Sequence, residues 1–328
     1  MKKWKSLSWI VLLLTLVMGL AACGSNNASG NKDGGSASKG SESYSLLTGG
    51  TGGTYYPLGG QFANLWEDAT GDKFTTQTTG ASAENMATLQ KGEAEVAFSQ
   101  TDIATYAIEG KEMFKEKIDG IKAIAALYPE TVQIVTTEKS GIHSVEDLKG
   151  KTVSVGAAGA GVNINAKQIL EVHGMSFDDI KPQNLSFEES TDGIQSGAID
   201  AAFITAGTPT GAVEGLSAQN KIKILNIEED KQKKLMEKYP FYAEDTIKKG
   251  TYGIGSDVNT VAVKAMLVAS DKDEDTVYKM TKALFEADKI NHAKGEFIKP
   301  ETALEGLGDI EIHPGAAKYF KEKGIEKS

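Results

Sequence analysis

The sequence contains no arginine, so all 35 of its basic residues are lysines. Any anion it holds is held without the planar fork by which a guanidinium grips a carboxylate or phosphate. Cysteine is nearly absent too. The single one, Cys23, excludes an internal disulfide. Basic charge is in deficit, 35 residues against 45 acidic ones, and the net charge of −10 argues against nucleic acid as a partner. The four histidines, His143, His173, His292 and His313, show no H-E-x-x-H or other paired-ligand spacing. There is no G-x-S-x-G elbow and no Gly-Lys-Ser/Thr phosphate loop. Asp102, Glu84 and Glu95 can be assembled into an acid/base pair on paper, but helix starts and strand edges explain their charges more simply. These absences point to a protein that is not an enzyme and needs neither metal nor cofactor.

What is present begins with an export leader. Lys2, Lys3 and Lys5 precede an apolar run from Ile10 to Leu20, which is too short to cross about 30 Å of hydrocarbon. Leu20-Ala21-Ala22-Cys23 then reads as a lipid-attachment site. We therefore expect residues 1–22 to be removed and Cys23 to carry lipid. Residues 23–43, rich in Gly, Ser and Asn, form a flexible tether. Loss of the leader's three lysines takes the net charge from −10 to −13. The mature chain is expected outside the cytoplasm, anchored to the outer face of the cell membrane.

From Tyr44 onward short apolar runs alternate with helical patterns, the sequence form of an α/β protein with mainly parallel strands. Strands are expected at 45–47, 74–78, 96–99, 121–127 and 132–137, the last two separated by a bend at Pro129. Helices are expected over 55–69, with Leu58, Phe62 and Leu65 inward, and over 82–92. The order then recurs with a strand at 152–155, a glycine loop, helices over 163–173 and 190–196, and a strand at 201–204. An internal echo accompanies it. Gln90-Lys91-Gly92-Glu93-Ala94-Glu95-Val96-Ala97-Phe98 aligns with Gln195-Ser196-Gly197-Ala198-Ile199-Asp200-Ala201-Ala202-Phe203, 105 positions later. A glycine loop precedes each copy, and each copy ends a helix at glycine before re-entering a sheet. The pattern implies two similar lobes. A strand over 260–268 and a helix over 273–288 bring the chain back to the first, so the lobes divide as 44–133 plus 268–328, and 134–267, joined by a hinge.

Four segments are placed to contact a ligand. Thr48-Gly49-Gly50-Thr51-Gly52-Gly53-Thr54-Tyr55 follows a strand and opens a helix, where free N–H groups favour negative charge; it nominates Gly50, Thr51, Thr54 and Tyr55. In Thr79-Gly80-Ala81-Ser82-Ala83-Glu84-Asn85, Ser82 and Asn85 lie near one face, Ser82 reading either as a helix cap or as a contact. Gln100 and Asp102 lie just beyond a strand, at the carboxyl edge where open α/β sheets bind ligands; Thr101 and Asp102 read equally well as caps. The second lobe offers Ala160, Gly161 and Asn163 in and after its glycine loop, and Thr208 as a cap before Pro209 at a first helical position. Two such loops facing each other suit a small anionic solute held by backbone N–H groups and hydroxyls. Lys167 either neutralises that solute or is simply solvated.

Taken together, Leu47-Thr-Gly-Gly-Thr-Gly-Gly-Thr-Tyr-Tyr-Pro57, Thr79-Gly-Ala-Ser-Ala-Glu-Asn85, Gly92-Glu-Ala-Glu-Val-Ala-Phe-Ser-Gln-Thr-Asp102 and His313-Pro-Gly-Ala316 resemble the TAXI family of solute receptors that serve TRAP transporters. The resemblance covers essentially the whole mature chain. It implies a two-lobed type II periplasmic-binding-protein fold that closes on its solute, and delivery to an integral membrane TRAP permease driven by an ion gradient. It implies glutamate, a related amino acid or a dicarboxylate as solute. The chain departs from the family pattern at Ala158 and Ala160, where a proline and a serine are usual, which removes one hydroxyl. The alternative is a binding lipoprotein of an ABC importer for a sulfonate or thiamine-precursor-like solute. An enzyme or a sensor on the same fold is a further, lesser alternative.

Overall fold

The computed structural model describes residues 41–271 and 273–327; the leader, Cys23 and the tether up to residue 40 lie outside them. In chain order the elements are β1 (Ser43–Leu47), α1 (Tyr55–Thr70), β2 (Lys73–Gln77), α2 (Ser82–Gln90), β3 (Val96–Gln100), α3 (Thr101–Glu109) and the long β4 (Ile121–Thr137). Next come β5 (Thr152–Ser154), α4 (Gly161–Val172), β6 (Lys181–Gln183), α5 (Phe187–Ser196), β7 (Ala201–Ala206), α6 (Gly211–Ser217) and β8 (Ile222–Ile224). The chain continues through α7 (Glu229–Lys238), β9 (Ala243–Ile247), the long β10 (Val258–Ser270), α8 (Glu274–Glu286) and α9 (Pro314–Glu322). Among these residues no helix is long and apolar enough to cross a membrane.

Local chemistry explains why the elements form. In α1 the fully buried Leu58, Phe62 and Trp66 recur every four residues, one stripe of an α-helix. Trp66, not Leu65, completes that stripe. Pro57 sits in the first turn, where its missing N–H is no loss, and the helix stops at Gly71, whose φ of 79° suits glycine. Every residue of β3 and of β7 is buried, as expected of strands covered on both faces.

The strands form one mixed sheet in the order β2-β1-β3-β10-β4-β7-β5-β6, with β8 added to β4 and β9 to β10. β1 runs parallel to β2 and β3, and β5 parallel to β6 and β7; β10 and β4 lie between these groups and are antiparallel to their neighbours. The core divides along those two central strands. Ala123 to Tyr128 of β4 and Ala265 to Ala269 of β10 pack with Leu46, Phe62, Trp66 and Phe98, while Val132 and Ile134 of β4 and Val261 and Val263 of β10 pack with Val153, Ile169, Leu170 and Phe203. A third cluster, including Val135, Ile204 and Leu216, covers the second group's other side. The molecule thus has the expected two-lobed α/β architecture, and among the described residues β4 and β10 are the strands that contribute to the cores of both lobes.

The internal echo has a structural counterpart. Gly92 and Gly197 both adopt left-handed φ, 72° and 79°. Phe98 and Phe203 are each fully buried, one in the core of each lobe. The expected bend at Pro129 is replaced by one continuous strand. β4 keeps pairing with β10 through a register shift between Lys264 and Met266 opposite Pro129 and Ala126, the kind of irregularity that accommodates a residue without an N–H.

Three expected helix starts are corrected. Ser82 is the first residue of α2, not its cap; Ala81 holds that position with φ 77°. Gln100 precedes α3, so Thr101 and Asp102 are already helical. Thr208 and Pro209 share a cis peptide bond and α6 begins at Gly211, leaving neither residue at a helix start. Around the first, Ala81 N–H donates to Thr79 Oγ1 at 3.0 Å; around the third, Thr210 Oγ1 donates to the carbonyl of Gly207 three residues back and accepts from the side chain of Gln133, 77 residues away.

Candidate functional site

The segments at the carboxyl ends of β1, β3, β5 and β7 meet at the seam between the lobes and line a cavity of about 50 Å³. Seven of the twelve residues nominated from sequence line it. Gly50, Thr54, Tyr55, Ser82 and Gln100 come from the first lobe, and Ala160 and Gly161 from the second. Among the lining residues not nominated from sequence are Glu130 of β4, Phe187 of α5 and Thr205 of β7.

The other five nominated residues are engaged elsewhere. Asn85 is fully buried and donates to the carbonyls of Thr48 at 2.7 Å and Phe98 at 2.9 Å, while accepting from Thr79 at 2.6 Å. It ties α2 to the ends of β1 and β3. Thr51 donates its hydroxyl to the carboxylate of Glu188. Asn163 lies 3.4 Å from the carbonyl of Val155, as donor. Thr208 is not among the lining residues, and its hydroxyl faces that of Tyr252. Asp102 is buried beneath the cavity and accepts from Asn165 of α4 at 3.0 Å. Lys167 is outside the cavity and pairs with Glu112 at 2.8 Å, an exposed ion pair of little energetic weight.

Asp102 belongs to a polar chain that crosses between the lobes. Asn165 Nδ2 donates also to Tyr242 Oη, Tyr242 donates to Gln168, and Gln168 donates to Tyr106 of α3, with distances between 2.7 and 2.9 Å. Burial pushes Asp102 up to about 6, the bonds from Ile103 N–H and Asn165 opposing it. A buried network of this kind specifies one docking of α3 on α4, because each unpaired member would cost the full desolvation of its group.

Several donors of the expected anion cradles are taken up within the protein. The N–H of Gly52 donates to Glu188 of the opposite lobe, as Thr51 does. The carbonyl of Gly159 accepts from the N–H groups of Ala83 and Glu84 at 2.9 and 3.2 Å. These loop and helix-start donors are therefore met by acceptors from across the seam, and the positive end of α2 is balanced by a carbonyl. Close approach explains the glycines. A Cβ on Gly161 would stand 1.7 Å from Gln100 Oε1, and one on Gly80 2.5 Å from the carbonyl oxygen of Ala158.

The electrostatics of the lining are acidic. Glu130 is 2 % exposed. Burial raises it to about 8; bonds from Tyr55 and Gln100 oppose the rise and the charge of Asp102 adds to it. Tyr55 donates to Glu130 at 2.9 Å, its ring stacked on Phe98 at 4.8 Å. No lysine or histidine is among the lining residues. Gln100 Oε1 and Thr205 Oγ1 are buried without a hydrogen-bond partner among the described residues. Buried polar atoms are rarely left so unless something binds them.

A family model described as the NMT1-like family matches residues 46–324. Among solved structures, one from Bordetella bronchiseptica RB50 is 19 % identical with a TM-score of 0.54, covering 86 % of this chain and 80 % of that one. MatC from Rhodopseudomonas palustris with bound malate is 11 % identical with a TM-score of 0.52, covering 75 % and 86 %. A structure described as a periplasmic transporter is 13 % identical with a TM-score of 0.52, covering 86 % and 93 %. Likeness at these identities is likeness of fold.

Proposed function

The chain belongs to the NMT1-like family, and from that premise we propose that it is the extracytoplasmic solute-binding receptor of a membrane transporter, of the TAXI type that serves a TRAP permease. The observation that carries the reading is the cavity at the seam of two lobes joined by two long strands. Such a molecule binds by closing, and its affinity reports how much better the solute fits the closed state than the open one. The TAXI assignment rests on the motif set between Leu47 and Ala316, five of whose nominated residues, Gly50, Thr54, Tyr55, Ser82 and Gln100, line the cavity. The lobes are taken as 44–133 with 268–328, and 134–267. Cys23 is taken as the lipid anchor on the outer face of the membrane, on the strength of the residues that precede it.

The solute in this reading is compact and bears a carboxylate, in the class of glutamate, related amino acids and dicarboxylates. The cavity volume limits its size, and the malate held by MatC supports the class. The role is one of capture, with no chemical step. A thermal-shift screen of the purified protein against amino acids, dicarboxylates and sugars tests the class, since a ligand at a hundred times its Kd stabilises the native state by about 2.7 kcal/mol. A preference for sugars overturns it. Uptake by cells that stops when the ion gradient is dissipated, and persists when ATP is depleted, supports the TRAP partner; the reverse pattern assigns the chain to an ABC importer.

A further inference from the structure

We infer that the cavity recognises its solute by a cationic, N–H-rich head, an ammonium group seated against Glu130, Gln100 and Thr205, so that among small carboxylate-bearing solutes it selects amino acids over their des-amino counterparts. The inference deepens the reading of this site as a solute receptor and rests on it.

Three independent features of the cavity point the same way. Its one ionisable acid, Glu130, is buried and has no cation among the lining residues. A buried carboxylate without a positive partner is expensive, and an incoming ammonium supplies that partner. Two other lining atoms, Gln100 Oε1 and Thr205 Oγ1, lack hydrogen-bond partners among the described residues and are 2 % and 5 % exposed as residues. An amide oxygen is an acceptor only, and a hydroxyl accepts as readily as it donates. An ammonium carries three donors, one for each of these oxygens. Finally, three of the donors that sequence alone assigns to an anion are committed to the protein. Gly52 N–H goes to Glu188, and those of Ala83 and Glu84 go to Gly159.

The opposite arrangement is chemically coherent and separable. A protonated Glu130 donating to a solute carboxylate binds best when it is neutral, so its affinity falls as pH rises. An ammonium needs the ionised form. With Glu130 near 8 in the empty protein, ammonium binding below that pH expels a proton, and affinity rises by about fiftyfold from pH 6 to 8. The groups facing Glu130 are Tyr55 from α1, Asp102 from α3 and Tyr128 from β4 itself. Lys264 of β10, in register with the adjacent Pro129, is paired with Glu305 at 2.9 Å.

The test is calorimetric titration of the purified protein with amino acids and their des-amino counterparts, such as L-glutamate against glutarate and L-alanine against propionate, at pH 6, 7 and 8. The expected result is tighter binding of the amino member of each pair, strengthening with pH, with proton release at pH 7 seen as a dependence of the heat on the buffer. Glu130→Gln keeps the shape and removes the charge. It is expected to weaken the amino member by about thirtyfold or more, the scale of losing one partner of a buried charge pair, and to abolish the proton release. Asp102→Asn, which removes the other nearby acid, is expected to leave the proton release in place. Tighter binding of the des-amino members, or affinity that falls with pH, overturns the ammonium assignment and leaves the receptor reading intact. Binding of neither series overturns both. Should Glu130→Gln fail to fold, the sign of the pH dependence in the unaltered protein decides alone.

Discussion

Glu188 offers the sharpest test of the closed state, because it touches the partner lobe without being among the residues that line the cavity. Its carboxylate receives the hydroxyl of Thr51 and the N–H of Gly52. In the substitution Glu188→Gln both donors keep an acceptor oxygen of the same shape and lose its charge. Hydrogen bonds to charged groups contribute about 1.5–3 kcal/mol and neutral ones about 0.5–1.5, so about 1 kcal/mol is lost per bond. The Thr51 bond is exposed and is discounted for solvent, leaving a total of about 1–2 kcal/mol. In the proposed receptor solute binds the closed state, so its Kd rises by the same free energy, about five- to thirtyfold. The signature is uniformity. Every solute that binds should weaken by one common factor, whereas changing a residue that touches solute reorders them. Calorimetry on three solutes of different affinity measures this, and small-angle scattering at matched saturation should show unchanged compaction. Unchanged Kd values, or a factor that differs from solute to solute, refute the latch.

The remaining predictions concern packing, the seam and the buried acids. Gly161→Ala drives a methyl into Gln100 Oε1 and toward Ile103; it should abolish the solute-induced thermal shift while leaving the melting point of the empty protein within a few degrees. Phe98→Ala and Phe203→Ala should each cost about 3–5 kcal/mol in chemical denaturation, one unseating each lobe. Asp102, raised to about 6 from an ordinary 3.8, binds its proton more tightly folded than unfolded. Its contribution to stability is therefore full below about pH 4 and falls as pH rises to about 6, by up to about 3 kcal/mol in all. Asp102→Asn should remove that fall, so the variant gains on the unaltered protein at pH 7 and not at pH 4; equal differences at both pH values would show that the carboxyl does not titrate there.

The parts of this molecule that sequence reveals are those decided by neighbours along the chain. The glycine that ends α2 or α5 and the strand that follows are local, so both copies of the Gln90–Phe98 pattern stand out, as do the loops after β1 and β5. What stays hidden is set by distant pairing. Glu130 is two residues past Tyr128 in a β-branched and apolar run, and only the pairing of β4 with β10 and β7 seals it from water; the available signal was a lone acid in the middle of that run. Asn85 has the right type and spacing for a ligand contact, but the carbonyls it binds, Thr48 and Phe98, come together only when β1 and β3 align. The cap of α2 was misplaced for a local reason. Ala81 takes a left-handed φ that short-range statistics disfavour, and the bond from its N–H to Thr79 supports it there. Glu188 was invisible because its partners lie 136 and 137 residues away.

In the proposed receptor the lobes swing about β4 and β10, and Glu130 stands on β4. Points near a pivot travel least, so this acid keeps its place while Gly50, Ser82 and Gly161 sweep in around it. A solute can dock there first, on an immobile post, and the arriving walls then judge its outline. The order of events separates two kinds of discrimination: charge is read in the open molecule and shape on shutting, so a wrong-shaped solute of the right charge is greeted and released rather than never met.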